Sequence, residues 1–229
     1  MRRIGLLGGM SWESTALYYR LVNEEVRERL GGFHSARLVL ASVDFAEIEA
    51  MQSAGDWAAA GALLAAEARA VQAAGAECLV LCTNTMHKVG DVIEAAVDIP
   101  LLHLADVTAD AIRRAGLDRI ALLGTRFTME QPFYADRLRS HGIEVLVPDE
   151  PDRTLVHDVI YDELVLGVVR AESRAAYVDV VGRLVDRGAR GVVLGCTEIE
   201  LLIGPEDVPV PVFATTRLHA LAAIDFSLG

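Results

Sequence analysis

Apolar residues fall along this chain in two alternating textures. Short, near-continuous runs rich in Val, Ile and Leu occupy residues 3–7, 38–43, 79–82, 101–103, 119–123, 143–147, 191–194 and 210–213. They lack the in–out alternation of a half-solvated strand and suit strands buried on both faces of a parallel sheet. Between them lie longer Ala-, Glu- and Arg-rich stretches with helical periodicity, at 13–30, 58–74, 106–115, 131–140, 153–169 and 173–187. Gly75, Gly116 and Gly188 mark helix ends, where glycine supplies the left-handed cap. The alternation predicts an α/β fold with right-handed crossovers. No low-complexity or proline-rich linker interrupts it.

The pattern repeats. Residues 3–8 read RIGLLG and residues 119–124 read RIALLG, a separation of 116. Residues 75–84 read GAECLVLCTN and residues 188–197 read GARGVVLGCT, a separation of 113. Buried strands look alike, but two matches in the same order at nearly equal offsets point to two copies of one α/β unit. The expected arrangement is a first domain of residues 1–104 plus 209–229 and a second of 105–208, related by a pseudo-two-fold. Ligands bind at the C-terminal ends of parallel strands, so the active site is expected in the cleft between the two.

Charge narrows the class of partner. Lys plus Arg number 21 against 33 Asp plus Glu, a formal net charge of −12. Such an acidic chain is poorly suited to the nucleic-acid backbone or an anionic membrane surface, so the expected partner is a small molecule. Three cysteines, Cys78, Cys82 and Cys196, form neither a disulfide framework nor a zinc-spaced cluster. Free thiols point to a reducing, cytoplasmic compartment. The apolar run in MRRIGLLGGMSWEST is too short for a signal peptide or a membrane span. The glycines of residues 5–9 do not have dinucleotide-fingerprint spacing.

Chemistry collects where the second repeat ends. Cys82-Thr83-Asn84-Thr85-Met86-His87 follows one strand and Gly195-Cys196-Thr197-Glu198 follows the other. A thiol at a strand-to-helix junction meets backbone amides that favour the thiolate and can bind a carboxylate. Cys78, in mid-strand, reads as a small buried hydrophobe. Asn84, Thr85, Thr197 and Glu198 offer polar groups at the two helix starts. Thr125 is a further candidate for a carboxylate, and Arg126 for a side-chain carboxylate. Asp44 follows a strand at a similar position. His87 reads either as a proton relay to Thr83 or Cys82 or as a helix-packing ring. The other five histidines read as structural.

These motifs, with Gly5-Leu6-Leu7-Gly8-Gly9-Met10-Ser11-Trp12 and Gly124-Thr125-Arg126-Phe127-Thr128-Met129, resemble the aspartate/glutamate racemase family nearly end to end. The resemblance implies two similar α/β domains and a cofactor-independent amino-acid racemase, acting on aspartate, glutamate or a broader set. It implies a two-base mechanism, in which one residue removes the α-proton and a second protonates the opposite face. No pyridoxal phosphate or metal is implied, so the carbanion is to be stabilised by donors around the substrate carboxylate. Met10 and Gln52 are implied as pocket residues. The family is often dimeric, which makes a homodimer the expected assembly.

The chain departs from the family at one point, because Thr83 stands between Cys82 and Asn84 where many members have Cys directly before Asn-Thr. Cys196 lies eight residues after Gly188; Thr83 lies eight after Gly75, and Cys82 only seven. Side chains alternate faces along a strand, so the register favours Thr83 as the counterpart of Cys196. The thiol pair Cys82 and Cys196 stays open as the alternative. A Thr hydroxyl suits proton donation better than abstraction, leaving Cys196 as the expected abstractor. Two other readings compete: a related isomerase or decarboxylase of a small carboxylic acid, and a non-catalytic two-lobed amino-acid-binding protein.

Overall fold

A computed structural model describes residues 1–229. The chain divides into two compact units, Met1–Leu104 with His219–Gly229, and Ala105–Leu218. In order, the elements are β1 (Ile4–Gly8), α1 (Trp12–Leu30), β2 (Leu38–Ser42), α2 (Phe45–Ala54), α3 (Trp57–Ala73), β3 (Cys78–Leu81), α4 (Gly90–Glu94), α5 (Leu104–Arg114), β4 (Arg119–Gly124), α6 (Arg126–Glu130), α7 (Pro132–Ser140), β5 (Glu144–Leu146), α8 (Asp152–Asp162), α9 (Ala171–Asp186), β6 (Val192–Gly195), β7 (Val212–Ala214) and α10 (Thr215–Leu228). No helix is long and apolar enough to cross a membrane.

The first unit carries a parallel sheet of order β2-β1-β3, extended by a parallel bridge from Leu79 to Leu101. β1 and β3 are buried on both faces, as their unbroken apolar runs require, while the edge strand β2 is only partly covered, with Leu40 exposed. On one face Ile4, Leu6, Cys78, Val80 and Cys82 pack with Tyr18, Val22 and Val26 of α1 and Ala220, Ala223 and Ile224 of α10. On the other, Leu7, Leu79 and Leu81 pack with Ile48 of α2 and Leu64 and Ala68 of α3. Cys82 thus continues the face of Cys78 and Val80.

The second unit carries a parallel sheet of order β5-β4-β6-β7. Counting the Leu101 bridge, this is the strand order of the first unit. The repeat holds down to single hydrogen bonds: Glu77 N–H donates to Arg3 O at 2.8 Å, and Arg190 N–H donates to Arg119 O at 2.9 Å. Here Ala121, Leu123, Val192 and Leu194 pack against Val156 and Ile160 of α8 and Tyr177, Val180 and Val181 of α9.

Two expectations are corrected. Residues 209–218, expected to rejoin the first half, belong with the second, because Val212–Ala214 completes its sheet beside β6. The helix expected at 153–169 stops at Asp162 and gives way to a 3-10 turn at Leu164–Leu166, closed by left-handed Gly167.

Buried histidines brace the first unit. His219 Nε2 lies 2.6 Å from Leu102 O and donates to it, while Nδ1 accepts from Tyr18 Oη at 2.9 Å. The fully buried ring is therefore held neutral; burial, with His103 adding to it, lowers its pKa to about 4. Below the ordinary histidine value of about 6.5 the unfolded chain takes up a proton that the folded chain refuses. Stability is therefore expected to fall as pH drops from 6.5 toward 4, by about 3 kcal/mol for this residue. Denaturant titrations at several pH values check this. His219→Gln should be less stable at pH 7.5 yet show a shallower pH dependence, and an unchanged slope would contradict the assignment.

Candidate active site

In the first unit the C-terminal ends of β1 and β3 lie side by side, since Leu7 and Leu81 are register partners and Cys82 N–H donates to Leu7 O at 2.8 Å. After β1 the chain turns at Gly9, whose positive φ of 94° and contact with Val43 O leave no room for a side chain. Its N–H donates to Thr15 Oγ1 at 2.8 Å, and Ser11 caps α1 through Ser14 N–H. After β3 come Cys82, Thr83 and Asn84, then a 3-10 turn at Thr85–Val89.

The two first-motif candidates separate by environment. Cys82 is fully buried in the apolar face against α1 and α10, with Sγ 3.7 Å from Val80 O. Burial pushes its thiol far up, so it is an inert core residue in this environment. Thr83 is half-buried at the strand end, as is Thr85. Asn84 and Gln52 are buried, and Gln52 Nε2 lies 2.9 Å from the Met86 sulfur, beside the same turn. Met10 is also buried, packed with Leu7, Ile48 and Met86. Asp44 caps α2 by accepting from Ala46 N–H at 3.0 Å, which accounts for it structurally.

In the second unit Gly124 of β4 and Gly195 of β6 are register partners, so Thr125 and Cys196 leave adjacent strands at the same level. Both glycines are needed, because a Cβ at Gly195 would meet Leu123 O at 2.8 Å and one at Gly124 would meet Gly195 O at 3.1 Å. Thr125 caps α6, its Oγ1 accepting from Thr128 N–H at 3.4 Å. Arg126 is exposed and forms a long ion pair with Glu130 at 3.7 Å; its N–H donates to His157 Nδ1 at 3.2 Å.

Cys196 is half-buried, and its Sγ–H donates to Glu198 Oε2 at 2.8 Å. Desolvation pushes the thiol pKa well up, and the Glu198 charge and hydrogen bond add to it. The backbone amides were expected to favour the thiolate; desolvation and the Glu198 charge instead favour the neutral thiol. Beyond Cys196 the chain enters a 3-10 turn, Thr197–Leu201, too short to supply the helix dipole that would favour the anion. Thr197 is buried with Oγ1 2.9 Å from Thr216 Oγ1.

Sequence reasoning missed Glu200 and Thr216. Glu200 Oε1 accepts from Thr216 N–H at 3.2 Å, and burial, with help from the Glu198 charge, raises its pKa to about 7. The signal was present in the alternating acids of Thr-Glu-Ile-Glu at 197–200, but nothing in sequence showed that α10 starts beside them. No group of three or more His, Cys, Asp or Glu side chains is arranged to hold a metal ion.

Comparisons with known proteins agree with this layout. A model of the Asp/Glu/hydantoin racemase family matches residues 7–223. The chain is 54% identical to a candidate Asp/Glu racemase from Yersinia pestis, covering 100% of both chains with a TM-score of 0.96. It is 32% identical to an aspartate racemase homologue from Pyrococcus horikoshii, again covering 100% of both, with a TM-score of 0.90. Arylmalonate decarboxylase shares the fold at 15% identity and a TM-score of 0.57, with 99% of this chain and 93% of that one covered.

The thiol environments predict labelling behaviour. Native Cys196 should react slowly with iodoacetamide at pH 7.5, and Cys78 and Cys82 only on unfolding. Glu198→Gln removes the adjacent negative charge and should speed Cys196 labelling about tenfold for each pKa unit that the charge contributes. Mass-spectrometric labelling kinetics check this; slower labelling in the variant would show that Glu198 does not suppress thiolate formation.

Proposed function

Because this chain belongs to the Asp/Glu/hydantoin racemase family, we propose that it is a cofactor-independent racemase of free amino acids, with aspartate, glutamate or a broader set as substrates. The observation that carries the mechanism is the Cys196–Glu198 hydrogen bond at the end of β6. A neutral thiol cannot remove an α-proton. Glu198 accepts the Sγ proton, and the thiolate so formed takes the proton from Cα. The resulting carbanion, with its charge spread onto the substrate carboxylate, is met by donors from Asn84, Thr85 and Thr125. Thr83 Oγ–H delivers a proton to the opposite face and regains one from solvent, while Glu198 releases to solvent the proton it took from the thiol.

For the other enantiomer the roles reverse, and Thr83 must remove the proton. A hydroxyl is the weaker acid and its alkoxide the rarer base, so the two directions differ in kcat and in KM. Their kcat/KM values stay equal, because the enantiomers are equally stable. The half-buried setting of Thr83 beside the sealed Cys82 supports giving Thr83 this role. Three unpaired thiols support action in a reducing, cytoplasmic compartment.

The test is proton NMR in D₂O with a panel of L- and D-amino acids and no added cofactor, following α-proton loss and, by chiral separation, racemisation. The native chain should do both with at least one substrate. Cys196→Ala should lower racemisation by about 10²–10⁴-fold. Thr83→Ala should cost racemisation far more than Cys82→Ala. Tight binding with no α-proton exchange anywhere in the panel would replace the racemase with a binding protein.

A further inference from the structure

His87 lies four residues after Thr83, and its contacts give it a definite task. Leu104 N–H donates to its Nε2 at 3.2 Å, so that nitrogen carries no proton. The proton therefore sits on Nδ1, which donates to the main-chain carbonyl of Thr83 at 2.8 Å. The other side of Thr83 is held too, its N–H donating to Leu81 O at 2.8 Å. The ring is only 4% exposed and is wedged edge-on against His103, with centroids 4.6 Å apart, and beside His219 at 5.8 Å. Burial, with His103 and His219 contributing, pushes its pKa well below the ordinary histidine value, which keeps one nitrogen free to accept.

We propose that His87 is a positioning residue for the reaction: by gripping the carbonyl of Thr83 it fixes the backbone from which the Thr83 hydroxyl is aimed at the α-carbon. The inference rests on the role proposed for Thr83. His87 is no proton relay, because its hydrogen bond reaches the carbonyl and not the hydroxyl. The segment it steadies is a strand end followed by a 3-10 turn, which has fewer internal hydrogen bonds to hold it than an α-helix. A shift of about 1 Å in a reacting group can cost about 100-fold in rate. The neutral imidazole suits the site because it offers one donor and one acceptor on a rigid ring.

The two-base scheme supplies a readout that simple destabilisation does not move. With one base intact and the other displaced, the enzyme still exchanges the α-proton of the enantiomer that faces Cys196, but fails to invert it. Thr83→Ala should therefore raise the ratio of exchange to racemisation for that enantiomer. His87→Gln, which retains an acceptor for Leu104 but loses the donor to Thr83, should raise the same ratio by about tenfold or more. His87→Asn, whose amide nitrogen can take the place of Nδ1, should restore the ratio toward that of the native chain. If Thr83→Ala uncouples the two rates while His87→Gln lowers both in proportion, the positioning role is overturned and the Thr83 assignment stands. If Thr83→Ala racemises normally, the Thr83 assignment fails and takes this inference with it. Should His87→Gln not fold, ¹⁵N NMR of the native chain decides: an Nδ1–H tautomer with a protected proton supports the proposal, and an Nε2–H tautomer overturns it.

Discussion

A parallel strand buried on both faces can carry no polar side chain along its length, because each would be desolvated without a partner. The polar side chains around these strands therefore cluster just beyond the last paired positions. The last paired position of β3 is Leu81; Cys82, one residue on, is still sealed in the core, and Thr83 is the first to reach the half-exposed edge. In β6 the last paired position beside β4 is Gly195, and Cys196 comes next. The backbone contacts of Gly124 and Gly195 let β4 and β6 run close together to their ends, so Thr125 and Cys196 emerge at one level.

The titratable groups near these strand ends are mostly held neutral. Burial keeps His87 and His219 in the singly protonated, neutral form and favours the neutral Cys196 thiol for the same reason, reinforced by Glu198. Glu200 is pushed toward neutrality. Desolvation raises the cost of an unpaired charge and strengthens each remaining electrostatic contact. In such surroundings a carboxylate 2.8 Å from the Cys196 thiol makes loss of the thiol proton harder. The histidines serve differently: with tautomers set by backbone partners, they act as rigid two-ended braces rather than as proton carriers.

Both sheets were legible in the sequence, since continuous apolar runs and glycine-marked helix ends encode α/β alternation directly. The duplicated Arg-Ile and Gly-Ala segments also carried the common strand order, seen now in the paired bonds Glu77–Arg3 and Arg190–Arg119. Less legible were α2 and α10. Phe45–Ala54 has no strong apolar stripe, and α10 is apolar around much of its circumference, so neither presents a clear helical period. The assignment of residues 209–218 went astray because a three-residue strand such as β7 has no mark of which sheet it will join.

Local order thus settled which residues stand at strand ends, because burial and side-chain alternation act over a few neighbours and leave their period in the chain. A count of residues from a glycine favoured Thr83 over Cys82 as the counterpart of Cys196 and left Cys82 open. The protonation states, and the partners that set them, were decided only in three dimensions. Glu198 on the thiol, Thr216 on Glu200, and Leu104 on His87 are matters of distance and desolvation. Those depend on which distant segments the packed core brings together, a quantity that no run of adjacent letters contains.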